Sequence, residues 1–77
     1  MFDQKQADML LRFGLLTEEE LSQMLNVTTR TLTVWRSEGK GPASVRLGKN
    51  IFYRDQDIRT WIAMNVTYPH EGTEPDN

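Results

Sequence analysis

Two helix-starting residues eleven positions apart, Thr17 and Thr28, constrain this 77-residue chain more than any other feature. Thr17 is followed by Glu18, Glu19 and Glu20. Its Thr-x-x-Glu spacing is that of a capping box, in which hydroxyl and carboxylate each accept a backbone N–H that the helix leaves free. Leu16 is placed to staple onto Leu21, and three glutamates suit the positive end of a helix dipole. Leu21, Met24 and Leu25 then form one apolar stripe at spacings of three and four. Asn26 tolerates the left-handed conformation that ends a helix sharply, Val27 can plug the corner, and Thr28 is placed to cap the next element. Two helices joined by so short a turn fit a helix-turn-helix.

The segment after that turn, "VTTRTLTVWRSEG", supports two readings. Thr31 to Val34 alternate polar and apolar and are mostly β-branched, as in a strand. As a strand, however, Thr28 would cap nothing and Trp35 would lie on the face opposite Leu32 and Val34. As a helix over residues 28–38, Leu32 and Trp35 share a buried face and Gly39 supplies the stop. The helix is the better reading. At about 100° per residue its outer face carries Arg30, Thr33, Val34 and Ser37, flanked by Thr29 and Arg36.

Downstream, Gly39, Gly41 and Pro42 force an extended path. Two β-prone runs, Ser44 to Leu47 and Ile51 to Tyr53, are separated by Gly48, Lys49 and Asn50, which predicts a hairpin over 44–53. Asp55 is expected to cap a last helix over 55–64 with Ile58, Trp61 and Ile62 buried. At the other end, Asp3 and Gln6 have capping-box spacing and Gly14 suits a helix stop, predicting a helix over 3–13. Its apolar stripe would be Ala7, Leu10 and Leu11, with Met9 at the margin. From about Val66 the chain is polar, acidic and without periodicity. The expected architecture is mainly α with a small β-hairpin, a winged helix-turn-helix over 1–65, followed by a disordered acidic tail over 66–77.

Without cysteine, disulfides and Cys-based zinc sites are excluded, and a reducing, cytoplasmic setting fits. The sole histidine, His70, lies in the polar tail, so neither catalysis nor a cofactor is expected. No apolar run reaches the roughly 18 residues of a membrane span, and no N-terminal signal segment is visible. The net charge of −2 hides a strong asymmetry. Residues 1–29 carry −3 and residues 55–77 carry −4, whereas residues 30–54 carry +5 from Arg30, Arg36, Lys40, Arg46, Lys49 and Arg54 against Glu38. A basic middle third of this kind points to a polyanion partner, the alternative being a solvated face that happens to be basic.

The stretch "LTEEELSQMLNVTTRTLTVWRSEGKGPASVRLGKNIFYRDQDIRTWI", Leu16 to Ile62, resembles the excisionase-like, MerR-related small winged helix-turn-helix proteins of phages and mobile elements. The likeness lies in the ordered set: Leu21, Ser22 and Leu25; Val27, Leu32 and Trp35; Gly39; then Gly-Pro, Val-Arg-Leu-Gly, an aromatic return strand and a closing Trp-Ile. It implies double-stranded DNA as partner, with the second helix in the major groove and the wing near the minor groove or backbone. It further implies either an excisionase, which binds neighbouring sites cooperatively, bends DNA and directs an integrase, or a small transcription regulator. No small-molecule effector is expected, and bacterial or phage-infected cytoplasm, at the nucleoid, is the expected location.

Side-chain chemistry agrees with a DNA partner. Thr28 and Thr29 can offer N–H and hydroxyl groups to a phosphate, although a capping role alone also accounts for Thr28. Arg30 suits guanine O6/N7, while Thr33 and Val34 suit base edges or a thymine methyl, with Ser37 beside them. Arg36, Lys40, Arg46, Lys49 and Arg54 are phosphate candidates, with Asn50 on the wing. About five such contacts would give a log K against log salt slope of roughly −4 to −5. Tyr53 is open between core packing and a phosphate contact through its hydroxyl. A reading of another class is a protein-binding adaptor whose working surface is Met9, Leu10, Leu11, Phe13 and the acidic tail.

Overall fold

The computed structural model describes residues 4–69. The capping residue expected at Asp3 and the tail residues 70–77, including His70, lie outside the described residues. The element order is α1 (Gln4–Arg12), β1 (Leu15–Thr17), α2 (Glu18–Leu25), α3 (Thr29–Ser37), β2 (Val45–Leu47), β3 (Asn50–Arg54) and α4 (Asp55–Met64). This is a winged helix-turn-helix, mainly helical with a small antiparallel sheet.

Local chemistry accounts for the helix-turn-helix. The Thr17 hydroxyl accepts the Glu20 N–H at 3.0 Å and the Glu20 carboxylate accepts the Thr17 N–H at 2.9 Å, completing the capping box. Asn26 adopts φ 58°, ψ 44°, the left-handed stop its position calls for. The Val27 N–H then reaches the Ser22 carbonyl at 2.9 Å and the Asn26 N–H the Gln23 carbonyl at 3.2 Å, a Schellman pair that closes α2 and turns the chain towards α3.

The sheet differs from the expected lone hairpin by one strand. Its order is β1-β3-β2, all antiparallel, with Leu16 opposite Tyr53 and Arg46 opposite Ile51. A three-residue strand ending in a helix cap is too short to announce itself by alternation, and Thr17 serves both elements. The corner is locked where the Asp55 N–H donates to the Gly14 carbonyl at 2.8 Å, joining the start of α4 to the start of β1.

Side chains alternate between the faces of β3, and each face has its own cover. On one face Tyr53 joins Leu21, Leu32 and Ile58 in the main core, with Leu16, Leu25, Val27, Trp35 and Ile51 packed around them. On the other face Phe52 is buried opposite Thr17 and Val45, and with Asn50 it shares a small cavity with Gln6, Met9 and Leu10 of α1 and with Phe13 just after it. The N-terminal helix therefore shields the side of the sheet that the helix-turn-helix leaves open.

Three members of the expected stripes are outside the core. Met24 is 52 % exposed, Ile62 is 47 % exposed and Leu11 lies on the outer side of α1. The small core of Leu21, Leu32, Phe52, Tyr53 and Ile58 takes only one residue from each of α2, α3 and α4, so each stripe is narrower than its apolar pattern. The cap of α4 is also shifted by one. Arg54 occupies that position without a side-chain cap bond, and Asp55 is the first helical residue, where its charge suits the dipole.

Candidate nucleic-acid interface

α3 is held at both ends and along its inner side, which leaves one face free. At its start the Thr28 hydroxyl accepts the Thr31 N–H at 3.1 Å and also lies 3.1 Å from the Thr31 hydroxyl. At its end the Lys40 N–H reaches the Trp35 carbonyl at 2.7 Å and the Gly39 N–H the Arg36 carbonyl at 3.3 Å, a second Schellman pair. Gly41 comes next with φ +78°, and a Cβ there would sit 2.9 Å from the Trp35 ring, so both backbone and space demand glycine. Trp35 in turn packs against Trp61 of α4, with ring centroids 5.8 Å apart.

The inner side carries Leu32, Trp35, Thr31 and Arg36, all buried or half-buried. Arg30, Thr33, Val34 and Ser37 are exposed together on the outer side, with Thr29 beside them. This is the face that helical periodicity selects. Val34 is 39 % exposed, an apolar side chain facing outward between Arg30 and Ser37. Thr33 donates its hydroxyl to the Thr29 carbonyl at 3.1 Å and Ser37 donates to the Val34 carbonyl at 2.9 Å.

Two expected DNA contacts are reassigned by their surroundings. Tyr53 is 1 % exposed, so its hydroxyl is not at the surface, and its ring belongs to the main core. Arg36 forms an ion pair with Glu18, and its guanidinium also donates to the Tyr53 hydroxyl. Burial lowers the Arg36 pKa, but the hydrogen bonds to Tyr53 and Glu18, with the negative charge of the Glu18 carboxylate, outweigh it and hold the group above its ordinary value. Arg36 therefore anchors α3 to α2 and β3 instead of facing outward. Nothing in the sequence marks Glu18 as its partner, because the two residues are eighteen apart and meet only through the tertiary fold.

The remaining cations divide into held and open groups. Arg54 is clamped by Asp57, Nε to Oδ2 at 2.5 Å and a second guanidinium nitrogen to Oδ1 at 2.9 Å; this hydrogen bond and the Asp57 charge raise its pKa. Lys40 lies 3.5 Å from Glu38 in an exposed, loose pair. Among the described residues, no ion pair engages Arg30, Arg46 or Lys49. Directly opposed residues share a sheet face, so Arg46 lies on the side of Ile51 and the helix-turn-helix core, while Lys49 occupies the wing tip next to exposed Asn50. Among the expected contacts, the open charge is thus on α3 and on the wing beyond it.

A cleft of about 420 Å³ lies between the end of α3 and α4, lined by Lys40, Pro42, Asp57, Thr60 and Trp61 among others. Among the described residues there is no cluster of histidine, cysteine or carboxylate able to hold a metal, and no helix is long and apolar enough to cross a membrane.

The family model for a helix-turn-helix domain matches residues 15–66, which takes in both helices of the motif, the wing and α4. No curated protein matches the chain closely enough to count as a relative. With a capped helix pair, a free-faced second helix and a wing in the matched segment, the chain belongs to the helix-turn-helix domain family, a family of small excisionase-like DNA-binding domains.

Proposed function

We propose that the chain is a non-catalytic, double-stranded DNA-binding protein of the excisionase type, which binds neighbouring sites cooperatively and bends the DNA for an integrase. The observation that carries the DNA-binding part is the outer face of α3, where Arg30 stands beside Thr33, Val34 and Ser37, with open Arg46 and Lys49 on the adjoining wing. Such a pairing divides the work: α3 meets base edges in the major groove, and the wing cations neutralise phosphates and hold the register. Arg30 is the one cation on the base-reading face, so sequence discrimination by a single copy is modest. Cooperative binding to adjacent sites supplies the rest. The setting proposed is bacterial or phage-infected cytoplasm, with the protein on the nucleoid.

Titration of duplexes carrying one, two and three copies of the site tests this. Stepwise complexes that tighten with occupancy, together with a bend in a circular-permutation assay, are the expected result. Independent binding without bending favours a simple transcription regulator with the same DNA-binding mode.

The second reading, a protein-interaction adaptor, draws on Met9, Leu11 and Phe13, which are exposed on and just after α1. Arg30→Ala with Lys49→Ala separates the two. The DNA reading requires loss of duplex binding with folding intact, and an adaptor is indifferent to the change.

A further inference from the structure

We infer that the outer face of α3 reads thymine methyl groups beside a single guanine, with the Val34 side chain and the Thr33 methyl as its specificity-determining groups. The inference deepens the DNA-binding reading above and rests on it.

A hydroxyl has one hydrogen to donate. Of the three exposed hydroxyls on α3, two have already spent theirs, Thr33 on the Thr29 carbonyl and Ser37 on the Val34 carbonyl, and the third, Thr29, stands at the helix start beside this face. Turning Oγ1 of Thr33 back along the helix leaves its Cγ2 methyl as the group that projects. Val34 adds two more methyls next to it, exposed despite being apolar. Arg30 is left as the only side-chain donor among the four residues of this face.

The major groove determines what such a face matches. Guanine shows two acceptors, N7 and O6, which suit one guanidinium. Every other acceptor facing Thr33, Val34 and Ser37 goes without a side-chain donor, and water must serve it. Thymine alone offers a methyl at C5, and methyl against methyl removes apolar surface from water on both sides. Cytosine presents a hydrogen at that place, so the methyl's share of the choice between them is roughly fourfold in affinity.

The preferred duplex is first selected from random sequences, and each of its thymines is then replaced singly by deoxyuridine, which removes only the C5 methyl. The wild-type protein is expected to lose about fourfold at one or two thymines adjacent to the guanine that Arg30 needs. Val34→Ala is expected to bind the thymine and deoxyuridine duplexes equally at one of those positions. Thr33→Val, which keeps the methyl, stays within about twofold of wild type, and Thr33→Ser, which keeps the hydroxyl, loses about as much as a deoxyuridine. Both positions are exposed, and thermal unfolding of each variant checks that the fold is intact. The inference is overturned if no deoxyuridine costs affinity, or if Thr33→Ser binds normally while Thr33→Val does not. Failure of the wild-type protein to bind any duplex is a separate result, seen at the selection step, and rejects the DNA-binding reading beneath it.

Discussion

The Arg36 guanidinium of α3 pairs with the Glu18 carboxylate in the first turn of α2, and the buried Tyr53 hydroxyl accepts a further hydrogen bond from it. One side chain of the second helix thus fixes its angle to the first helix and to the sheet. The free face of α3 is set before any DNA arrives.

Arg36→Ala is expected to lower stability by about 1–2 kcal/mol in urea unfolding, since a partly buried charged hydrogen bond is lost on two sides. Arg36→Lys recovers little, because a single ammonium does not reproduce the fork that serves both partners. If Arg36 were a phosphate contact, Arg36→Ala would also flatten the salt dependence of DNA binding. The structure predicts an unchanged slope.

Tyr53→Phe removes the hydroxyl and leaves the ring in the core. The expected cost is about 1 kcal/mol of stability, from an Arg36 donor left short of a partner. Duplex affinity, corrected for the folded fraction, stays the same. A fall in affinity at constant stability would restore Tyr53 as a DNA ligand.

Gly41 and Gly48 both have positive φ, at +78° and +64°, yet they differ in surroundings. An alanine Cβ at position 41 meets Trp35, whose ring is itself packed on Trp61, whereas at position 48 nothing lies within 4 Å. Gly48→Ala is expected to cost about 1 kcal/mol, the left-handed penalty alone. Gly41→Ala is expected to cost about 2–3 kcal/mol, as strain and crowding add. Thermal unfolding of the two variants side by side reads the difference.

Thr28→Ala is expected to cost about 1 kcal/mol through loss of the α3 cap, and Thr28→Asp to recover most of it. Urea unfolding checks both. Equal destabilisation by alanine and aspartate would mean that the hydroxyl acts by packing and not by accepting the Thr31 N–H.

Much of the helix-turn-helix was legible because its signals are local. Thr17 with Glu20, Asn26, Thr28 and Gly39 each act on backbone groups within a few residues, and each does in the structure what its spacing predicts. The outer face of α3 was legible for the same reason, since helical periodicity needs only its inner anchors Leu32 and Trp35. What was hidden is tertiary. Leu15–Thr17 becomes a strand only because Phe52, Tyr53 and Arg54 lie beside it. Arg36 and Arg54 look like open cations until Glu18 and Asp57 are seen against them. Met24 and Ile62 look like core until the small core has been filled by others.

Those reassignments change the electrostatic expectation. With Arg36 held against α2 and β3, and Arg54 and Lys40 paired at the surface, Arg30, Arg46 and Lys49 are the unpaired cations among the expected duplex contacts. The decisive measurement is the slope of log K against log salt for duplex binding, taken for the wild-type protein, Arg46→Ala and Lys49→Ala. About two neutralised phosphates, at Arg46 and Lys49, predict a slope of roughly −2 per bound copy, reduced by about 0.9 in each variant that removes a phosphate contact. A slope near zero, or one that neither substitution changes, would contradict a DNA interface built from α3 and the wing.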